Sequence, residues 1–117
     1  MSYKLFLDDQ RIAPDGWVQA WNYQDFREAL NELGRPTTIA FDHDLGDQHD
    51  EFGNLLVPEP DGTAAALHVV MNPEILPLTF SVHTMNFSGG HRIKSLMAEA
   101  GSKLVLGPFN SGWEEKK

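Results

Sequence analysis

The chain has 117 residues, of which 41% are hydrophobic and 22% charged, the composition of one globular domain able to bury its own core. Seventeen Asp+Glu against nine Lys+Arg leave a formal charge of −8, which argues against a general binder of nucleic-acid backbones. The absence of cysteine excludes disulfides, thiolate zinc sites and cysteine nucleophiles. No apolar stretch is long enough to span a membrane and no signal-peptide pattern opens the chain, so a cytoplasmic address and no membrane partner are expected.

Tyr3–Leu7 is a short apolar run ending in Asp8-Asp9 and reads as a buried strand. Pro14 and Asp15-Gly16 mark the following stretch as a loop, and Trp17–Trp21 reads as a second strand. Asn22 is an N-cap candidate for a helix over Tyr23–Leu33. Its apolar positions Phe26, Ala29, Leu30 and Leu33 form one stripe, and Gly34 with Pro36 ends it. Thr37–Asp44 is the third strand, closing on Asp42-His43-Asp44-Leu45-Gly46. Asp47 to Pro60 is polar, with Gly53, Pro58 and Pro60, and reads as a long loop.

Gly62–Met71 is a small-residue helix that stops before Pro73. Leu78–His83 is the fourth strand, followed by Thr84-Met85-Asn86 and then by Ser88-Gly89-Gly90 ahead of a helix over His91–Ala100. Gly101 ends that helix, and Leu104-Val105-Leu106 gives a fifth strand. Trp17, Trp21, Phe26, Phe41 and Phe80 are expected in the core, with Trp113 as a packing latch in a Gly-rich tail. Strands alternating with helices predict an α/β domain with a parallel sheet, apart from the first two strands, which a loop joins. One domain over 1–117 is expected, with a core over about 3–106.

Parallel strands bring their C-terminal ends to one edge of the sheet. Asp8, Asp9, Asp42 and Asp44 would then gather there. Carboxylates at such distances repel unless something positive lies among them, and a divalent cation with oxygen ligands, such as Mg²⁺, is the simplest candidate. Residues two apart in a strand point the same way, which puts Asp42 and Asp44 on one side and His43 on the other. Ser88-Gly89-Gly90 before a helix suggests backbone N–H groups open to an anion, with Arg92 adding a phosphate contact. His43, His49, His83 and His91 offer a transition-metal set without the spacing of a zinc motif. Each of these features also has an ordinary reading as a turn, a satisfied core histidine or a plain loop.

An acidic pair after the first strand, an Asp after the third and a Thr after the fourth resemble the receiver domain of two-component signalling, as does Pro58-Glu59-Pro60-Asp61-Gly62. The lysine that receivers carry before a proline at the end of strand five is replaced by Gly107, ahead of Pro108. The stretch from Asp44 to Pro58 is longer than in receivers, and the helix between strands one and two is missing. Leu7-Asp8-Asp9-Gln10-Arg11, Asp42-His43-Asp44-Leu45-Gly46, His83-Thr84-Met85-Asn86, Gly90 and Arg92 together resemble a divergent branch, the cyclic-phosphate-processing receiver-like family. Thr84 stands where that family has Ser, and Phe87 where it usually has Pro.

That resemblance implies a flavodoxin-like, receiver-like three-layer sandwich with sheet order 2-1-3-4-5. It also implies hydrolysis of a cyclic phosphate, either a cyclic nucleotide or the 2′,3′-cyclic end of an RNA. On this reading Mg²⁺ or Mn²⁺ is held by Asp8, Asp9 and Asp44, with Asp42 as a further ligand or support. Asp44 attacks or orients water, and His83 or His43 protonates the leaving oxygen. Arg11, Thr84, Asn86, Gly90 and Arg92 contact the phosphate. The partner is then a small phosphorylated ligand or an RNA 3′ end. A non-enzymatic acidic module that binds or inhibits a protein partner is the alternative, and a phosphoacceptor switch is disfavoured by the missing lysine.

Overall fold

The computed structural model describes residues 2–42, 48–49, 52, 55–57, 61–84 and 87–108. Its main sheet has five parallel strands: β1 (Lys4–Leu7), β2 (Trp17–Ala20), β3 (Thr38–Phe41), β6 (Thr79–Val82) and β7 (Lys103–Leu104). Their order is β2-β1-β3-β6-β7, which is 2-1-3-4-5 when these strands alone are counted. Three helices connect them, α1 (Tyr23–Leu33), α2 (Gly62–Val70) and α3 (Phe87–Glu99).

Local chemistry accounts for three of the helix boundaries. The Asn22 side chain accepts from the Asp25 N–H at 2.8 Å and starts α1. Gly34, at φ +79°, ends it by donating its N–H to the Leu30 carbonyl, a conformation other residues reach only with strain. Asp61 caps α2 in the same way as Asn22, accepting from Ala64 at 3.0 Å.

Four readings of the sequence are adjusted. The long polar loop contains a two-stranded antiparallel ribbon, β4 (Gln48–His49) with β5 (Leu55–Val57). A 3₁₀ turn at Pro73–Ile75 follows α2. α3 begins at Phe87, so Ser88, Gly89 and Gly90 lie inside its first turn and are no loop before it. The last strand is Lys103–Leu104 and stops short of Val105 and Leu106.

The sheet sorts its residues by pleat. Leu5, Leu7, Ala20, Ile39, Phe41, Phe80 and Val82 share one face and one buried cluster with Phe26, Leu30, Ala65, Ala66, Val69, Ile93 and Met97 from the helices. All three helices therefore cover the same face. The connections β2→β3, β3→β6 and β6→β7 all step across the sheet in one direction, and right-handed crossovers then share a side. Only β1→β2 steps the other way, and no helix joins that pair. The layer expected opposite accordingly holds no helix among the described residues. Loop 8–16 and segment 105–108 stand there instead, around a cavity of about 350 Å³ that includes Pro14, Trp17, Ser81 and Gly107.

Tyr3 anchors the start of the domain, its hydroxyl donating to the Gly34 carbonyl. Burial raises its phenol from 10 to about 12. The folded state thus favours the neutral phenol, and that contribution is complete below pH 10 and lost as pH rises from 10 to 12. In alkaline titrations the phenolate absorbance missing from a Tyr3→Phe variant is expected to appear near pH 12 in the native protein. Its appearance near pH 10 would contradict the burial argument.

Candidate functional site

The last paired row of the sheet is Ala20–Leu7–Phe41–Val82. The ladder continues one step further, because Asp8 donates to the Ala20 carbonyl at 3.1 Å, Asp42 to Leu7 at 3.1 Å and His83 to Phe41 at 2.9 Å. The next row is therefore Trp21–Asp8–Asp42–His83, at the C-terminal ends of four adjacent strands. By alternation it lies on the face opposite the helices, together with Phe6, Gln19, Ala40 and Ser81. The face left without a crossover helix is thus the face that carries the polar row.

Asp8 is fully buried, as is His83, and Asp42 is nearly so. One ligand atom from each of the three lies within 4.8 Å of the others. The His83 Nε2 is 3.0 Å from Asp8 Oδ2. Beneath it the Phe6 ring lies parallel, at 1° and 4.9 Å between centroids. His83 reaches Phe6 across β3, where the small residue Ala40 leaves room.

Asp8 organises the loop after β1. Its Oδ1 accepts from the Gln10 N–H at 2.8 Å and the Arg11 N–H at 2.9 Å, and its Oδ2 accepts from Arg11 Nη1 at 3.1 Å. Burial alone would raise this carboxyl. The bonds from His83, from the Arg11 and Gln10 N–H groups and from the Arg11 guanidinium outweigh it and hold Asp8 well below the usual carboxylate range. Gln19 clamps the same loop from β2, giving its amide N–H to the carbonyls of Asp8 and Arg11 at 3.2 Å each and accepting from the Ala13 N–H at 2.6 Å. Two ends of one short side chain thus do the holding that a helix would do between β1 and β2.

Two carboxylates and an imidazole suit a divalent cation by donor type and proximity. The donor count on Asp8 sets a condition. Its Oδ1 is already engaged by two N–H groups, so a cation would bind through Oδ2 and compete there with Arg11 and His83.

The remaining site residues named from sequence fall as follows. Asp9 is half-buried and is not part of the Asp8–Asp42–His83 group. Arg11 has a side chain 42% exposed, with its guanidinium on the rim of the group. Thr84 is buried one residue beyond His83, Gly90 is buried in the first turn of α3, and Arg92 is exposed on the same helix. His43, Asp44 and Asn86 lie outside the described residues. Of the five aromatic residues expected in the core, Phe26, Phe41 and Phe80 are buried, Trp17 is half-buried against Phe6 and Trp21 is 42% exposed. Sequence reasoning missed Phe6 and Gln19 as parts of the site. The alternation Phe6–Asp8 was the available signal for the first, and Gln19 had none.

Residues 3–99 match the family described as the cyclic-phosphate processing receiver domain. The chain belongs to that family. Its members are named for handling cyclic phosphates, and the polar row stands at the sheet edge where α/β folds place ligands. No curated protein matches the sequence. A solved structure of the yeast Spc42 trimeric coiled coil, amino acids 181–211, fused to another structure is similar at TM-score 0.55 and 18% identity, over 90% of this chain and 67% of that one. That likeness concerns the fold alone.

This receiver-like domain departs from receivers at the end of its sheet. A Cβ at Gly107 would lie 2.0 Å from Ser81 Oγ and 2.4 Å from Ser81 Cβ. A lysine in this position has no room for even its first side-chain carbon. Among the described residues no helix is long and apolar enough to cross a membrane.

Proposed function

We propose that this domain hydrolyses a cyclic phosphate ester with the help of a divalent cation, Mg²⁺ or Mn²⁺. The observation that carries the reading is the buried convergence of Asp8, Asp42 and His83 at the C-terminal edge of the sheet, in a family named for cyclic-phosphate processing. A cation held by Asp8 and Asp42, together with Asp44, would neutralise charge on the phosphoryl oxygens. The rest falls to the chain. Arg11, Thr84 and Arg92 bind and orient the phosphate, with Asn86 and the first turn of α3 at Gly90 as further contacts. Asp44 accepts the proton of an attacking water. The water oxygen bonds to phosphorus as one ring P–O bond breaks, and His83, or His43, delivers a proton to the leaving oxygen. The product is an open phosphomonoester. Asp8 and Phe6 hold the His83 ring in place for its part.

The test is turnover of cyclic mononucleotides and of RNA with 2′,3′-cyclic ends, with and without Mg²⁺ or Mn²⁺, alongside an Asp44→Asn variant. Cation-dependent ring opening that this variant loses, while it melts as the native protein does, is the expected result. A native protein whose melting ignores both cations and which opens no ester would instead favour an acidic module that binds a protein partner, to which the charge of −8 is also suited.

A further inference from the structure

The fourth member of the polar row is not polar. Trp21 follows Ala20, the register partner of Leu7, and so stands beside Asp8 at the strand ends, roughly 5 Å away across one interstrand spacing. Carried one residue past the end of β2 at Ala20, the alternation that turns Trp17 toward Phe6 and Gln19 toward the Asp8 loop puts Trp21 on the side of the sheet that holds Asp8, Asp42 and His83. Its backbone is fixed on both sides. Ala20 is buried in the core, the Trp21 N–H donates to Asp25 Oδ2 at 3.1 Å, and Asn22 caps α1 immediately after it. Yet 42% of the residue is open to solvent. An indole on a rigid backbone, adjoining a charged centre and not packed into the core, is a surface that a planar ring can cover.

We infer that Trp21 is the platform for the base of a nucleotide substrate, whose cyclic phosphate occupies the Asp8–Asp42–His83 centre. This rests on the hydrolase reading above and narrows its substrate class to esters that carry a nucleobase. The short distance along the row suits such a ligand, since base and phosphate of one nucleotide are joined through a single ribose. Stacking on an aromatic side chain accepts any base, because every base has a π-face. The site would then choose nucleotides over base-free cyclic phosphates without choosing strongly among bases.

The experiment compares kcat/KM for adenosine 2′,3′-cyclic phosphate and glycerol 1,2-cyclic phosphate in the native protein, Trp21→Ala and Trp21→Phe, with melting curves for all three. The expected result is a loss of about ten- to hundredfold for Trp21→Ala on the adenosine ester, with the glycerol ester unaffected and Trp21→Phe recovering most of the loss. Equal losses on both esters would assign Trp21 a structural role and overturn the inference, as would a native protein that opens the glycerol ester as readily as the adenosine one. In both cases the hydrolase reading survives. Failure of the native protein on both esters overturns that reading and this inference together.

Discussion

Asp8→Asn is expected to cost about 3 kcal/mol of stability, the scale of breaking a buried charged contact, and to lower the melting temperature by roughly 10 °C. The carboxylate receives four donors, two N–H groups on Oδ1 and the His83 ring and Arg11 guanidinium on Oδ2. An asparagine can keep its oxygen toward Gln10 and Arg11. Its amide then turns N–H groups toward a guanidinium and an imidazole that are themselves donors, in a position with no exposure to water. On the proposed mechanism the same change frees the His83 ring and lowers turnover by about a thousandfold, within the range of a lost acid–base group. Measuring turnover well below the variant's melting point separates the two effects. A variant as stable as the native protein would show that the four bonds are not worth what their burial implies. One that is destabilised yet fully active would remove Asp8 from the chemistry.

Gly107→Ala is expected to destabilise the domain by about 2–3 kcal/mol, because the added methyl enters space that Ser81 already fills. The conflict is with a strand residue of β6 that is nearly fully buried, so the neighbour has little freedom to give way. Removing the obstacle makes the test specific. Ser81→Gly takes away both the hydroxyl and the Cβ that the new methyl would strike, and the double variant should recover a large part of the loss, a coupling of about 1–2 kcal/mol. Purely additive costs in thermal or urea melts would show that the two residues do not meet as described. The same geometry explains why a receiver's lysine is absent here: segment 105–108 lies directly on the sheet face where that side chain would begin.

Much of the architecture was legible because its causes are local. Alternation, capping by Asn22, the stop at Gly34 and the apolar runs of the strands each act within a few residues of chain, and so the elements and the parallel sheet could be read in order. The start of α3 was misread because Gly89 and Gly90 look like a loop, whereas inside a helix their small size leaves room for close packing, and both are buried. The core assignment of Trp21 failed for a related reason. Being apolar says nothing about whether a strand continues far enough to carry a residue past the edge of its sheet.

The order of the acids and histidines along the chain marked them as ends of strands, and that much depended on sequence alone. Which of them share a site did not. Asp8, Asp42 and His83 belong to three strands and meet because the register puts them in one row, while Asp9, next to Asp8, is no part of that group. Phe6 beneath His83 and Gln19 around the Asp8 loop are likewise products of pairing across strands. Side chains project on alternating faces, and a shift of register by one residue would turn every one of them away. Which residues meet is therefore decided by the hydrogen-bonded ladder of the folded sheet, which no short stretch of the chain contains.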